Sequence, residues 1–147
     1  MKKTSLNILG SGAKVNKTPG DRIRYARKSE YLTIRELATK TGLTPEAISM
    51  MERNTHPPSL SSLRKISIVL KKPIHFLGCY EDMNEETLGD QIKKARYYKG
   101  LTLEEAGEHF GADVKTIRSW ETNRRRPSNR HINEVKLFVD IIVILKL

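Results

Sequence analysis

Gly20–Leu70 reads GDRIRYARKSEYLTIRELATKTGLTPEAISMMERNTHPPSLSSLRKISIVL, and Gly89–Val139 reads GDQIKKARYYKGLTLEEAGEHFGADVKTIRSWETNRRRPSNRHINEVKLFV. The two stretches align without a gap at an offset of 69 residues and agree at fourteen positions. The shared positions include Gly20/Gly89, Ile23/Ile92, Arg27/Arg96, Thr33/Thr102, Gly42/Gly111, Ile48/Ile117, Glu52/Glu121, Asn54/Asn123 and Pro58/Pro127. Unrelated segments of this length share roughly three, at about one match in twenty. A duplicated unit this short is one compact module, and its period sets the organisation of the chain.

Within the first copy the apolar spacing is helical. Ile23, Ala26 and Arg27 open it, and Ile34, Leu37 and Ala38 give the inward stripe of a second helix. Thr33 with Glu36 has capping-box spacing. Gly42 suits the left-handed residue that ends a helix. Thr44-Pro45-Glu46 is a helix start, with a capping hydroxyl, proline at the first helical position and an acid in the first turn. Ile48, Met51 and Glu52 share one side of that third helix, and Asn54 can take the positive φ that closes it. Ser59 caps a fourth helix with Leu60, Leu63, Ile66, Ser67 and Leu70 inside, and Pro73 to Leu77 predicts a short fifth. The second copy predicts helices near 89–98, 103–110, 114–122 and 129–139. The tail Asp140–Leu147 departs from the first copy and reads as an extension of the fourth helix or as a strand. Its Ile141–Leu145 run reads as core, dimer patch or edge strand, the first two being favoured.

The bulk composition agrees with two small basic modules. The chain has 147 residues, 27 Lys plus Arg against 17 Asp plus Glu, and a net charge of +10. The charge is uneven: +4 over 1–19, +6 over 20–77, −4 over 78–87 and +4 over 88–147. The expected division is therefore a flexible basic N-terminal arm at 1–19, a first domain at 20–77, an acidic linker at 78–87 and a second domain at 88–147. Basic domains point to a polyanion, most often nucleic acid. The arm reads as a disordered end in preference to a segment lying along a DNA groove. Cys79 is the sole cysteine, so no internal disulfide or Cys-x-x-Cys metal site forms, which suits the cytoplasm. No apolar run reaches signal-peptide or membrane-span length. The four histidines are scattered without a partnering thiol or carboxylate set, so no metal and no cofactor are expected. Neither a phosphate loop nor a nucleophile motif is present, and no enzyme activity is expected.

The order Leu-Thr, Glu-Leu-Ala, Gly-Leu-Thr, Ile48-Ser49, Glu52, Asn54, Pro58-Ser59 and an amphipathic helix resembles the lambda/434 repressor and Cro-like (xenobiotic-response-element) helix-turn-helix family. The second copy, with Thr116-Ile117-Arg118-Ser119-Trp120-Glu121 and Arg124–Pro127, resembles it more strongly. Together the copies cover about 115 residues. The resemblance implies an all-α chain of two tandem five-helix domains. It also implies a DNA-binding transcriptional regulator of repressor type in the prokaryotic cytosol, at the nucleoid. In that family the third helix enters the major groove and flanking groups hold phosphates. Carried over, the first copy presents Thr33, Thr44, Pro45, Glu46, Ala47, Ser49, Met50 and Arg53. The second presents Thr102, Val114, Lys115, Thr116, Arg118, Ser119, Arg124, Arg125 and Arg126.

The two faces differ in chemistry. Lys115 and Arg118 can donate to guanine, Thr116 can bond a base or touch a thymine methyl, and Ser119 suits base or phosphate. The arginine run adds salt-sensitive affinity. In the first copy Glu46 can accept from cytosine but repels phosphate, and Pro45, Ala47 and Met50 offer no base-specific hydrogen bond. Arg22, Arg24, Arg35 and Arg53 are candidate phosphate ligands. The family's usual phosphate-gripping glutamine at the start of the second helix is Ile34 or Leu103 here, so Thr33 or Thr102 would substitute. The resemblance also implies an internal ion pair between Arg27 and Glu52, and between Arg96 and Glu121.

Trp120 reads as core, and Tyr97-Tyr98 reads as packing at least as much as contact. Family members often dimerise to read half-sites one helical turn apart. A homodimer or the tandem chain alone would serve, since ten extended linker residues span roughly 33 Å. The competing reading is an antitoxin- or anti-repressor-like interaction protein whose first module binds a protein partner.

Overall fold

The computed structural model describes residues 17–147. Most of the expected basic arm therefore lies outside the described residues. Its last two residues, Thr18 and Pro19, instead start the first helix: the Thr18 hydroxyl accepts from Asp21 N and Pro19 takes the first helical position. Among the described residues the secondary structure is entirely helical, with nine α-helices and one 3-10 turn. The chain divides into two compact units that meet between Cys79 and Tyr80.

The first unit holds α1 (Pro19–Ser29), α2 (Ile34–Thr41), α3 (Pro45–Glu52), α4 (Leu60–Leu70) and α5 (Ile74–Leu77). Its helix starts are set locally. Thr33, Thr44 and Ser59 accept from the backbone N–H groups of Glu36, Ala47 and Ser62. Each such cap is worth about 1 kcal/mol. Gly42 closes α2 with φ +75°, so α3 can leave at an angle to it. Ile23, Leu37, Ile48, Leu63, Ile66, Leu70 and Leu77 are fully buried where the helices meet.

In the second unit a 3-10 turn (Tyr80–Asp82) precedes α6 (Leu88–Tyr98), α7 (Leu103–Phe110), α8 (Val114–Glu121) and α9 (Ile132–Ile144). Ile92, Ala95, Ala106, Phe110, Ile117, Trp120, Val135, Phe138 and Ile142 form its core. Trp120 is 3% exposed and meets Phe110 edge-on at 5.5 Å, so it is a core residue. Tyr98 is buried, and Tyr97 packs on Tyr80 and under Arg96.

The expectation of five helices in each unit fails for the second, which has four α-helices. In the first unit Lys71 takes φ +55° and Pro73 begins the next element, so α4 must stop. The matching positions are Asp140 and Ile142. With no proline there, α9 runs on to Ile144 and buries Ile142. The tail thus extends a helix, with Ile142 inside and Val143, Ile144 and Leu145 exposed. The start of α9 also moves from the expected 129 to Ile132, because residues 128–131 form a turn in which Ser128 Oγ meets His131 Nδ1.

The segment 78–87 is not a free linker. Lys94 on α6 is 2% exposed, and its ammonium donates to Glu81 O (2.8 Å), Met83 O (3.0 Å) and Glu85 Oε2 (2.9 Å). A buried ammonium needs several acceptors to replace its water. The acidic residues and carbonyls just before α6 supply them, so residues 80–87 pack as part of the second unit.

Two long-range links fix the first and third helices of each unit. Gly20 N donates to Asn54 Oδ1 at 3.0 Å, and Gly89 N donates to Asn123 Oδ1 at 3.0 Å. A Cβ at Gly20 would sit 2.3 Å from Met51 O, and one at Gly89 would sit 2.5 Å from Trp120 O. The repeated glycine is therefore a point of contact between helices. Asn54 and Asn123 take φ +58° and +59°, which turns their amides toward it.

Candidate nucleic-acid interface

The turn between α7 and α8 begins at Gly111, with φ +63°. Asp113 then caps α8 by accepting from Thr116 N at 2.7 Å. Thr116, through side chain and backbone, holds the exposed Asp113 carboxyl below its ordinary value. Asp113 was missed in the sequence reading, although its alignment with Thr44 marks it as the cap. It places an exposed acid at the N-terminal end of α8.

Helical periodicity puts residues at i, i+3, i+4 and i+7 on one side. On α8 those are Lys115, Arg118, Ser119 and Thr122. With Arg124 they line one open surface. Lys115, Arg118 and Arg124 are exposed there, and Ser119 is half-buried. Thr122 is an addition to the expected set; its hydroxyl bonds Arg118 O at 2.8 Å, and its i+7 spacing from Lys115 was the available signal. Val114 and Thr116 are half-buried at the start of the helix.

The arginine run is divided. Arg124 joins the α8 surface, whereas Arg125 and Arg126 line a second concavity with Thr87, Gly89 and Asn123 at the start of α6. The first helical N–H groups carry partial positive charge, so this concavity presents two guanidiniums beside a helix N-terminus.

Thr102 is not placed as the expected phosphate ligand. Its hydroxyl accepts from Glu105 N and donates to Glu105 Oε1 at 2.9 Å, which puts a carboxylate where a phosphate would have to approach. In the first unit Thr33 and Thr44 are exposed and serve as caps. Glu46, Ser49, Met50 and Arg53 share the outward side of α3, with Ala47 half-buried beside them. Arg53 Nε lies 3.3 Å from Ser49 O. Arg24 and Arg35 are exposed. Arg22 is instead committed to the fold: it donates to Phe76 O at 2.7 Å and covers the Phe76 ring at 4.7 Å.

The frame beneath each surface is a buried bidentate ion pair. Arg27 Nε and Nη2 meet Glu52 at 2.6 and 2.9 Å, and Arg96 meets Glu121 at 2.6 and 3.0 Å. The remaining guanidinium nitrogens donate to Leu32 O and Leu101 O. The hydrogen bond to Glu52 raises the Arg27 pKa. Around Arg96 burial pulls the other way, and the bond and charge of Glu121 prevail to raise it. Each pair ties the first helix to the third, so the outward side of α3 or α8 is held on a rigid base.

Residues 23–77 match the model of the family described as Helix-turn-helix. The matched stretch takes in α2 to α5 and most of α1 of the first unit. The chain is similar to HTH-type transcriptional regulator SinR of Bacillus licheniformis, 37% identical over 67 residues, which are 45% of this chain and 60% of that protein. It is also similar to SinR of Bacillus subtilis (strain 168), 39% identical over 59 residues, 40% of this chain and 53% of that one. The chain thus spans just over half the length of these curated relatives. No solved structure matches it. No helix among the described residues is long and apolar enough to cross a membrane.

Proposed function

We propose that the protein is a sequence-specific double-stranded DNA-binding transcriptional regulator, with a helix-turn-helix module in each unit and the main DNA contact on α8. The observation that carries this reading is the open surface where Lys115, Arg118, Ser119 and Arg124 come together on a helix braced by the Arg96–Glu121 pair. Lys and Arg donate to guanine O6 and N7, and Ser serves base or phosphate. Arg125 and Arg126, at the start of α6, take the role of backbone contacts. The likeness of residues 23–77 to helix-turn-helix proteins and to named transcriptional regulators supports the same class. Regulation would follow from occupancy of a promoter site, without catalysis.

The test is gel-shift or anisotropy titration of the intact chain on duplexes selected from a random pool, repeated across salt concentrations. Arg118→Ala should change which bases are preferred. Arg125→Ala should lower affinity for all sequences alike and reduce the slope of log K against log salt by about one. Failure of the intact chain to enrich any motif, or no change on either substitution, overturns the assignment.

A further inference from the structure

The outward positions of the two third helices correspond one to one: Glu46 with Lys115, Ser49 with Arg118, Met50 with Ser119 and Arg53 with Thr122. The scaffold beneath them is the same, down to the ion pair and the glycine–asparagine contact. A common scaffold presents common positions, so the difference between the units lies in the chemistry at those positions. On α8 the leading pair are cationic donors. On α3 the leading residue is a carboxylate acceptor, and Met50 with Ala47 presents apolar surface.

Charge follows the same division. Between residues 45 and 57 two acids face one arginine, a net of −1. Between 114 and 126 five cations face Glu121, a net of +4. Phosphate affinity scales with the cations engaged, the salt slope being about −0.9 per phosphate neutralised. The α8 face therefore engages phosphates more strongly than the α3 face, whose unit relies on Arg24 and Arg35 for them. What α3 can add is discrimination, because a carboxylate at the groove floor accepts from cytosine N4 and is left unpaired against most other edges, while Met50 and Ala47 suit a thymine methyl.

We propose that one chain recognises an asymmetric, two-part duplex site: a guanine-bearing half held by α8, and a cytosine- and thymine-bearing half checked by α3 through Glu46 and Met50. This rests on the reading of both units as DNA-binding modules. With equivalent docking, equivalent positions of the shared scaffold meet the same strand, where Lys115 selects guanine and Glu46 selects cytosine; G·C and C·G are distinguishable in the major groove, so the two halves differ in either orientation. Neither a palindrome nor a direct repeat satisfies both faces.

The experiment is selection from a random duplex pool with the intact chain, Glu46→Ala, Met50→Ala and Arg118→Ala, each checked for unchanged helical content. The expected motif has two information-bearing halves of different sequence. Glu46→Ala flattens preference in one half by about 5-fold, the lower end of what a base contact carries because its bond to cytosine N4 is single, and lowers affinity for the selected motif less than Arg118→Ala does. Arg118→Ala flattens the other half and lowers affinity. A motif of two identical halves, inverted or direct, overturns the proposal. So does a single half-site that is indifferent to Glu46→Ala and Met50→Ala, an outcome that leaves DNA binding by the second unit standing. Absence of any motif overturns both readings.

Discussion

Gly89→Ala tests the contact on which the placement of α8 depends. Gly89 is the second residue of α6, and its missing side chain lets that helix rest on the end of α8. An added Cβ would lie 2.5 Å from Trp120 O and 2.6 Å from Asn123 Oδ1. The first of these is backbone, so relief requires moving one helix away from the other. Overpacking of this kind costs about 1–3 kcal/mol. Separation also weakens the Gly89 N–H to Asn123 bond, worth about 1 kcal/mol. Ala in place of Gly returns somewhat under 1 kcal/mol of helix propensity. The net loss is about 1–3 kcal/mol, a large part of the 3–5 kcal/mol that a core of this size supplies. With a urea m-value near 1 kcal/mol/M, the midpoint should fall by about 1–3 M. Trp120 is the only tryptophan of the chain and is 3% exposed, so its fluorescence reports unfolding of the second unit directly. Gly111→Ala is the comparison. Gly111 has φ +63° but open space where a Cβ would go, so its cost is backbone strain of about 1–2 kcal/mol. A Gly89→Ala midpoint within about 0.5 M of wild type refutes the reasoning.

Arg96→Ala leaves the Glu121 carboxylate, 9% exposed as a residue, buried without its partner. It should cost about 3–5 kcal/mol in urea denaturation, and the double change Arg96→Met with Glu121→Leu should recover much of that. Lys94→Met removes the donor shared by Glu81 O and Met83 O. It should destabilise the second unit by about 1–3 kcal/mol and speed protease cleavage between residues 81 and 86. Hydrogen bonds from Lys146 and Lys94 hold the Glu85 carboxyl below its ordinary value. Its folded pKa lies below the unfolded one, so its contribution is complete above the unfolded carboxylate pKa and is lost as pH falls through the folded value. Wild type should therefore lose more stability than Glu85→Gln as pH is lowered from neutral through the carboxylate range, measured by Trp120 fluorescence. Equal losses would remove Glu85 from the clasp around Lys94.

The features legible in the sequence were those set within a turn or two of chain. Thr33, Thr44 and Ser59 sit three residues before the N–H they accept from, so capping is written into local spacing. Gly42 and Gly111 take the left-handed backbone that costs glycine least. The 69-residue repeat added long-range information, because positions kept in both copies are those the shared frame needs. The Arg27–Glu52 and Arg96–Glu121 pairs came from the family resemblance, and both are formed.

Tertiary structure decided what depends on groups far apart in sequence or on which side of a helix faces in. Lys94 aligns with Tyr25, which is 45% exposed, yet Lys94 is buried because residues 81–85 fold back to offer it oxygens. Nothing in the order Ile92-Lys93-Lys94-Ala95 separates its neighbour, the exposed Lys93, from the buried Lys94. Three consecutive arginines read alike in sequence, but the turn after α8 sends Arg124 to one surface and Arg125 with Arg126 to another. The Thr102 hydroxyl, an expected phosphate ligand, bonds the Glu105 carboxylate through the cap of α7. The sequence alone determined most helices, most of their ends and the duplicated frame, though not the bounds of α9, because those rest on local sterics and short-range hydrogen bonds. Which charges are buried and which share a surface was decided only when the helices packed, because desolvation and partner geometry belong to the folded assembly of distant segments.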